Sequence, residues 1–252
     1  MLWGSFGLVH LISLALGAGM VVGLYFLLKG KSERVQLAVL GVLSFAGIGA
    51  IIFNLVTWGS PWEYLPLHLC SLSAMVLPFA TLLRNKTLGN LLFLWSLGAL
   101  MALVVNTAQA EFEIVSWTFV FYYFPHVLEF GIPILLFKLG LVKKDPRCIW
   151  STIGITLGSY TIIHFINVAL NNYFLANQIL DSAGNVIQVN YMYSIVPENP
   201  VLVIFRNIVP YDYWYMLLVL PIVVVYLGAV YAKDLLALYK AKKAEKAADA
   251  DA

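Results

Sequence analysis

Apolar positions in this chain fall in long unbroken runs, not in the alternating or one-sided patterns of soluble strands and helices. Seven runs separate, at 5–28, 35–57, 64–83, 88–105, 116–137, 149–172 and 213–232. Each is close to the ~20 residues with which a helix crosses ~30 Å of hydrocarbon. The pattern predicts an all-α polytopic membrane protein, a seven-transmembrane-helix bundle over residues 1–233. The charged, alanine-rich segment 234–252 reads as a disordered tail.

The polar residues between the runs give a direction. Links after the first, third and fifth runs hold Lys29, Lys31, Arg34, Arg84, Lys86, Lys138, Lys143, Lys144 and Arg147. The tail adds Lys233, Lys240, Lys242, Lys243 and Lys246, and Arg206 alone falls on the other side. Positive charge collects on the cytoplasmic side, so the N-terminus is expected outside and the C-terminus inside. The one long outer link, 173–212, is placed to cover a pocket as a lid. Within it, ILDSAGNVIQV predicts a small hairpin, and VLVIFRNI at 201–208 a segment lying on the membrane surface.

Composition agrees. The chain is 62% hydrophobic and 11% charged, more apolar surface than a soluble domain can bury. The first run is too long, and its flank too poor in basic residues, for a cleavable signal peptide. The net charge of +2 gives no nucleic-acid footprint. Cys70 and Cys148 are expected at opposite faces and unpaired, with Cys148 a bystander. Gly19-x-x-x-Gly23 and the Gly47, Gly49, Ala50 cluster read as helix-packing surfaces without chemistry.

The chemistry is in the polar residues inside the runs. Converting position to depth puts His10, His68, Cys70, His126 and His164 in the outer half of the membrane. Tyr160, His164, Asn167 and Asn171 form one stripe at helical spacing, and Tyr122, His126 and Glu129 share another face. Asn54 and Asn106 fall near outer helix ends. In hydrocarbon such groups are costly unless they face one another or a wet cavity, so a polar pocket in the outer half is expected. For His164 and the asparagines, ordinary interhelical hydrogen bonding explains them equally well. His126 is different, because Pro125 opens the helix beside it and an intramembrane acid shares its face. His10 is read as structural or as part of the pocket rim.

Leu65-Pro66-Leu67-His68-Leu69-Cys70, FYYFPHVLEFGIPILLF, HFINVAL and VNYMYSIVPENP together resemble the YwaF-type family of bacterial integral membrane proteins. Asn190-Tyr191-Met192-Tyr193 is a strong part of the match. The chain departs from the family pattern at Glu198-Asn199-Pro200 and at 209–215. That family is distantly similar to vertebrate transmembrane acyltransferases that remodel ether phospholipids. The resemblance implies a multi-pass bacterial plasma-membrane protein acting on a membrane lipid, with Cys70 and His126 as catalytic pair.

On that reading His126 deprotonates Cys70, and Glu129 orients or polarises His126. His68, Asn106, His164, Asn167, Asn190 and Tyr191 are the candidate substrate-binding residues, some holding an oxyanion and others covering the pocket mouth. No cofactor is expected. Two other readings stay open: a zinc-dependent lipid hydrolase or amidase, and a transporter or receptor with a polar outer pocket. The sequence leaves the oligomeric state open.

Overall fold

The computed structural model describes residues 1–4, 6–58, 60–105, 111–181 and 183–250, with the side chains of 244–250 excepted. Nine helices run through the described residues: α1 (Leu8–Leu28), α2 (Glu33–Ser44), α3 (Ala46–Thr57), α4 (Leu69–Leu83), α5 (Lys86–Val104), α6 (Trp117–Lys138), α7 (Ile149–Asn177), α8 (Pro200–Ile208) and α9 (Val219–Ala250). Two short antiparallel strands, β1 (Leu2–Trp3) and β2 (Phe112–Glu113), tie the N-terminus to the start of α6.

Six helical stretches are long and apolar enough to cross a membrane: α1, α2 with α3, α5, α6, and two that take in a leading 3₁₀ turn, Pro146–Asn177 and Trp214–Lys243. α4, expected as a full-length run over 64–83, has 15 residues and rises only ~22 Å. Its N-terminal part is lost because residues 61–64 form a 3₁₀ turn and His68 is extended. Pro66 disfavours helix in the residue before it. α2 and α3 meet at Phe45, where the Ser44 hydroxyl donates to Gly41 O at 2.6 Å and competes with the helical ladder. α9 runs on to Ala250, so the charged tail is drawn as helix where the sequence suggested coil.

α5 and α6 are the central pair. In the apolar 18-residue core of each, 56% of the residues are buried, against 17% in the corresponding cores of α1, Pro146–Asn177 and Trp214–Lys243. Their Leu91, Trp95, Ile132 and Leu136 form one buried cluster with Leu40, Leu77 and Tyr231 of the neighbouring helices. Burying a large aliphatic side chain contributes roughly 1.5–3 kcal/mol in water, while in lipid close packing carries more of the association.

Ion pairs gather at one end of the bundle. Arg84 pairs with Glu33, Lys86 with Asp145 at 2.9 Å, and Lys144 with Asp234 at 2.8 Å. The Lys86 ammonium and the Arg147 N–H hold the Asp145 carboxyl below its usual range. Asn90, buried in α5, binds Lys86 O, Lys143 O, Asp145 N–H and the Tyr231 hydroxyl, and so fastens the 139–145 link and α9 to the core.

The opposite end carries the long link. Its hairpin forms as expected, with Leu180 bridging Val186. The Asp181 carboxylate closes the turn by accepting from Ala183 N–H at 2.8 Å and Asn185 N–H at 2.9 Å, which lowers its pKa. The 201–208 segment is helix α8, with Asn199 as N-cap, Pro200 at the first position, and Val203, Ile204 and Ile208 exposed.

Candidate functional site

A cavity of about 350 Å³ lies between α3, α4 and α6. Asn54, Trp58, Tyr64 and Thr118 line its end nearer the long link. Trp58 and Tyr64 stack there at 5.8 Å. Its floor is Gly47, Ala74 and Glu129. Glu129 is ~18 Å along α6 from Trp117, so the cavity reaches from the surface to the middle of the helices.

Small residues make this room. A Cβ built on Gly47 would lie 2.5 Å from Ala74 Cβ and 3.1 Å from Glu129 Oε1. Gly47 and Ala50, read from the sequence as packing residues, are therefore also lining residues. Gly47→Val forces α3 away from α4, and over-packing of this kind costs about 1–3 kcal/mol. The expected result is a lower melting temperature in detergent, measured by intrinsic fluorescence. Melting unchanged from the parent protein would contradict this tight approach.

The chemistry is concentrated in one spot. Cys70 Sγ, a His126 ring nitrogen and a Glu129 carboxylate oxygen all lie within 4.8 Å of one another. The local fold explains each position. With α4 starting at Leu69, Cys70 occupies the second helical position instead of lying a turn and a half inside. No side chain caps this N-terminus, because His68 is the N-cap residue and its ring points elsewhere. First-turn N–H groups and the positive end of the helix dipole thus favour negative charge beside the thiol.

His126 is fixed by its own helix. Its Nδ1 is 2.6 Å from Tyr122 O, four residues back, and Tyr122 packs on the imidazole at 4.5 Å. Since a carbonyl only accepts, Nδ1 carries the proton, and Nε2 keeps its lone pair in the neutral ring. The group bonded to Nδ1 is thus a backbone carbonyl, which the sequence did not reveal; Glu129, read from the sequence as orienting or polarising His126, lies within 4.8 Å of it. Glu129 is buried, and its Oε2 has no hydrogen-bond partner among the described residues.

The other expected site residues form a second group. Asn167 donates from Nδ2 to Tyr191 O at 2.8 Å and to Ser194 Oγ at 2.9 Å, and accepts from Tyr191 N–H at 3.1 Å. Asn171 makes the same two-way bond with Val189, at 2.9 and 2.8 Å. His164 Nδ1 meets Ser194 Oγ at 3.1 Å, and Tyr160 donates to Tyr213 O at 2.8 Å. The α7 stripe therefore faces the 186–194 segment, which includes the 3₁₀ turn Tyr191–Tyr193, and pairs the backbone groups of Val189 and Tyr191. Asn190 closes its own turn, binding the N–H groups of Ile195 and Val196 and the Glu198 carboxylate. The Tyr191 hydroxyl donates to Trp62 O.

His68 belongs to this second group. Met192 N–H donates to its Nδ1 at 3.4 Å, and the rings of Tyr191 and Tyr193 lie 5.4 and 5.8 Å away. His10 is apart from both groups, with Nε2 on Leu103 O at 2.7 Å and Trp3 packed on its ring. Asn106 lies outside the described residues. The structure thus places Cys70, His126 and Glu129 together, and His68, His164, Asn167, Asn190 and Tyr191 in a second group formed by α7, the long link and the residue before α4. Ser71, Tyr122 and Asn54 line the cavity as well. For Ser71 the one available signal was its place directly after Cys70.

The family model described as the TMEM164 family matches residues 5–231. No curated protein and no solved structure matches the chain.

Proposed function

We propose an acyl-transfer function for this chain, which belongs to the TMEM164 family of membrane proteins. The observation that carries it is the approach of Cys70, His126 and Glu129 within 4.8 Å at the base of an open cavity. The substrate class is a phospholipid ester, whose acyl chain suits the apolar walls formed by Ala50, Ile51 and Phe121.

His126 Nε2 takes the Cys70 proton, and the thiolate attacks the ester carbonyl. The tetrahedral oxyanion forms beside the first-turn N–H groups of α4. Collapse breaks the ester C–O bond, and the imidazolium returns its proton to the departing lipid alcohol. Cys70 is left as a thioester. A second lipid hydroxyl, deprotonated by Nε2, then takes the acyl group, and the thiol recovers its proton. Glu129 supplies negative charge next to the transient imidazolium.

The same reading sets the protein in the bilayer. α4, with residues 64–68, is the third of seven spans, and α2 with α3 is the second. The basic end faces the cytoplasm and the cavity mouth faces outward. The resemblance to the YwaF-type group supports a bacterial plasma membrane.

Trapping the intermediate tests the chemistry. Purified protein incubated with a phospholipid bearing a labelled acyl chain, then acid-quenched, is expected to carry one acyl mass on the Cys70 peptide. Hydroxylamine should remove it. A label on any other residue, or none under conditions of turnover, overturns the proposal.

A further inference from the structure

The geometry points to a reversible Zn²⁺ site in this cavity, formed by Cys70 Sγ, His126 Nε2 and Glu129, whose occupation blocks acyl transfer. The binding stands on geometry alone. The inhibition rests on the acyl-transfer reading above.

Three independent features converge. The ligand atoms come from three side chains within 4.8 Å of one another. Zinc bonds of ~2.0–2.3 Å bring such atoms to roughly 3.5 Å apart, so each side chain need move only about 1 Å. His126 already has the arrangement typical of a metal-bound histidine. Its Nδ1–H is committed to Tyr122 O at 2.6 Å, which fixes the ring and leaves Nε2 for the ion. Glu129 Oε2 is buried at the cavity with no partner among the described residues, and a cation at this point would satisfy it.

The donor set selects the ion. One sulfur, one imidazole and one carboxylate suit Zn²⁺ and not Mg²⁺ or Ca²⁺, which require oxygen ligands. Three protein ligands leave a fourth position toward the cavity, where water can bind. The route in is the mouth between Trp58, Tyr64 and Thr118. On binding, sulfur keeps the electron pair of its S–H bond and the proton leaves to water. No oxidant or reductant is involved. With thiolate and Nε2 both held by the ion, neither nucleophile nor base remains.

The test uses the whole chain in lipid nanodiscs with ZnCl₂ as the only added ligand. Alkylation of Cys70 by a maleimide is expected to slow at least tenfold on adding one equivalent of Zn²⁺ and to recover with a chelator. Cys148, at the basic end of the bundle, serves as the internal control. Calorimetry should give one ion per chain, with affinity at least tenfold weaker in C70S and in Glu129→Gln. X-ray absorption should show one sulfur neighbour. Equal slowing at both cysteines, no slowing, or unchanged affinity in C70S overturns the site. Acyl transfer that requires Zn²⁺ and stops on chelation overturns the inhibition. Zinc protection of Cys70 with full acyl transfer in C70A upholds the site and removes the acyl-transfer reading instead.

Discussion

Cys70→Ala is expected to reduce acyl transfer to the background rate, and His126→Ala to lower it by about 10²–10⁴-fold. The reason for the difference lies in the roles. Alanine at 70 deletes the atom that becomes acylated, so no thioester can form. Alanine at 126 leaves the thiol but removes the group that takes and returns its proton. The small thiolate fraction present at neutral pH still reacts, which sets the residual rate. The double variant should be no slower than Cys70→Ala alone, because residues that act as a unit are not additive. Intact folding can be judged from melting in detergent, since Cys70 lies at the cavity wall and is not fully buried. Turnover measured by exchange of a labelled acyl chain between phospholipids decides it. Parent-like exchange in Cys70→Ala sinks the mechanism.

The bundle was legible because lipid imposes a length. A run such as 116–137 has no other explanation, and α6 spans Trp117–Lys138. The place of Cys70 was not legible. Residues 64–68 are apolar enough to continue the helix, and only the 3₁₀ turn at Pro61–Tyr64 and the extended His68 show that they do not. That difference moves the thiol from a helix interior to a helix N-terminus and gives it N–H groups nearby. The polar stripe on α7 was read correctly as a stripe. Period reveals which residues share a face, but not what the face meets, and here it meets backbone. The orienter of His126 left no trace in the sequence, because a backbone carbonyl is present at every residue. Gly47 was legible as a close approach, but not as part of a cavity floor.

Asn167→Leu is expected to produce the largest loss of stability among these substitutions. Asn167 is fully buried and satisfies three groups, Tyr191 N–H, Tyr191 O and the Ser194 hydroxyl. Leucine has similar volume, so the packing remains and the polar loss is isolated. Ser194 keeps its contact with His164, so the two Tyr191 backbone groups are left without a partner; at about 1–3 kcal/mol each, a total of roughly 2–6 kcal/mol follows. The loss is local first. This region holds Met192 at φ 54°, Tyr193 at φ 55° and Tyr213 at φ 65°, conformations that non-glycine residues adopt only under constraint. Each costs on the order of 1–3 kcal/mol, so the segment relaxes once its clamp is gone. Limited proteolysis should then cut within 186–198 well below the melting temperature, while α5 and α6 stay protected. Release of Met192 also frees the His68 ring, two residues before the thiol, so on the proposed function acyl transfer is expected to fall as well. Asn171→Leu, on a half-buried site one turn further along, should loosen the same segment by less. Parent-like proteolytic resistance in Asn167→Leu would mean that the segment is held by its own turns and by Tyr191 on Trp62, and that the α7 stripe contributes little.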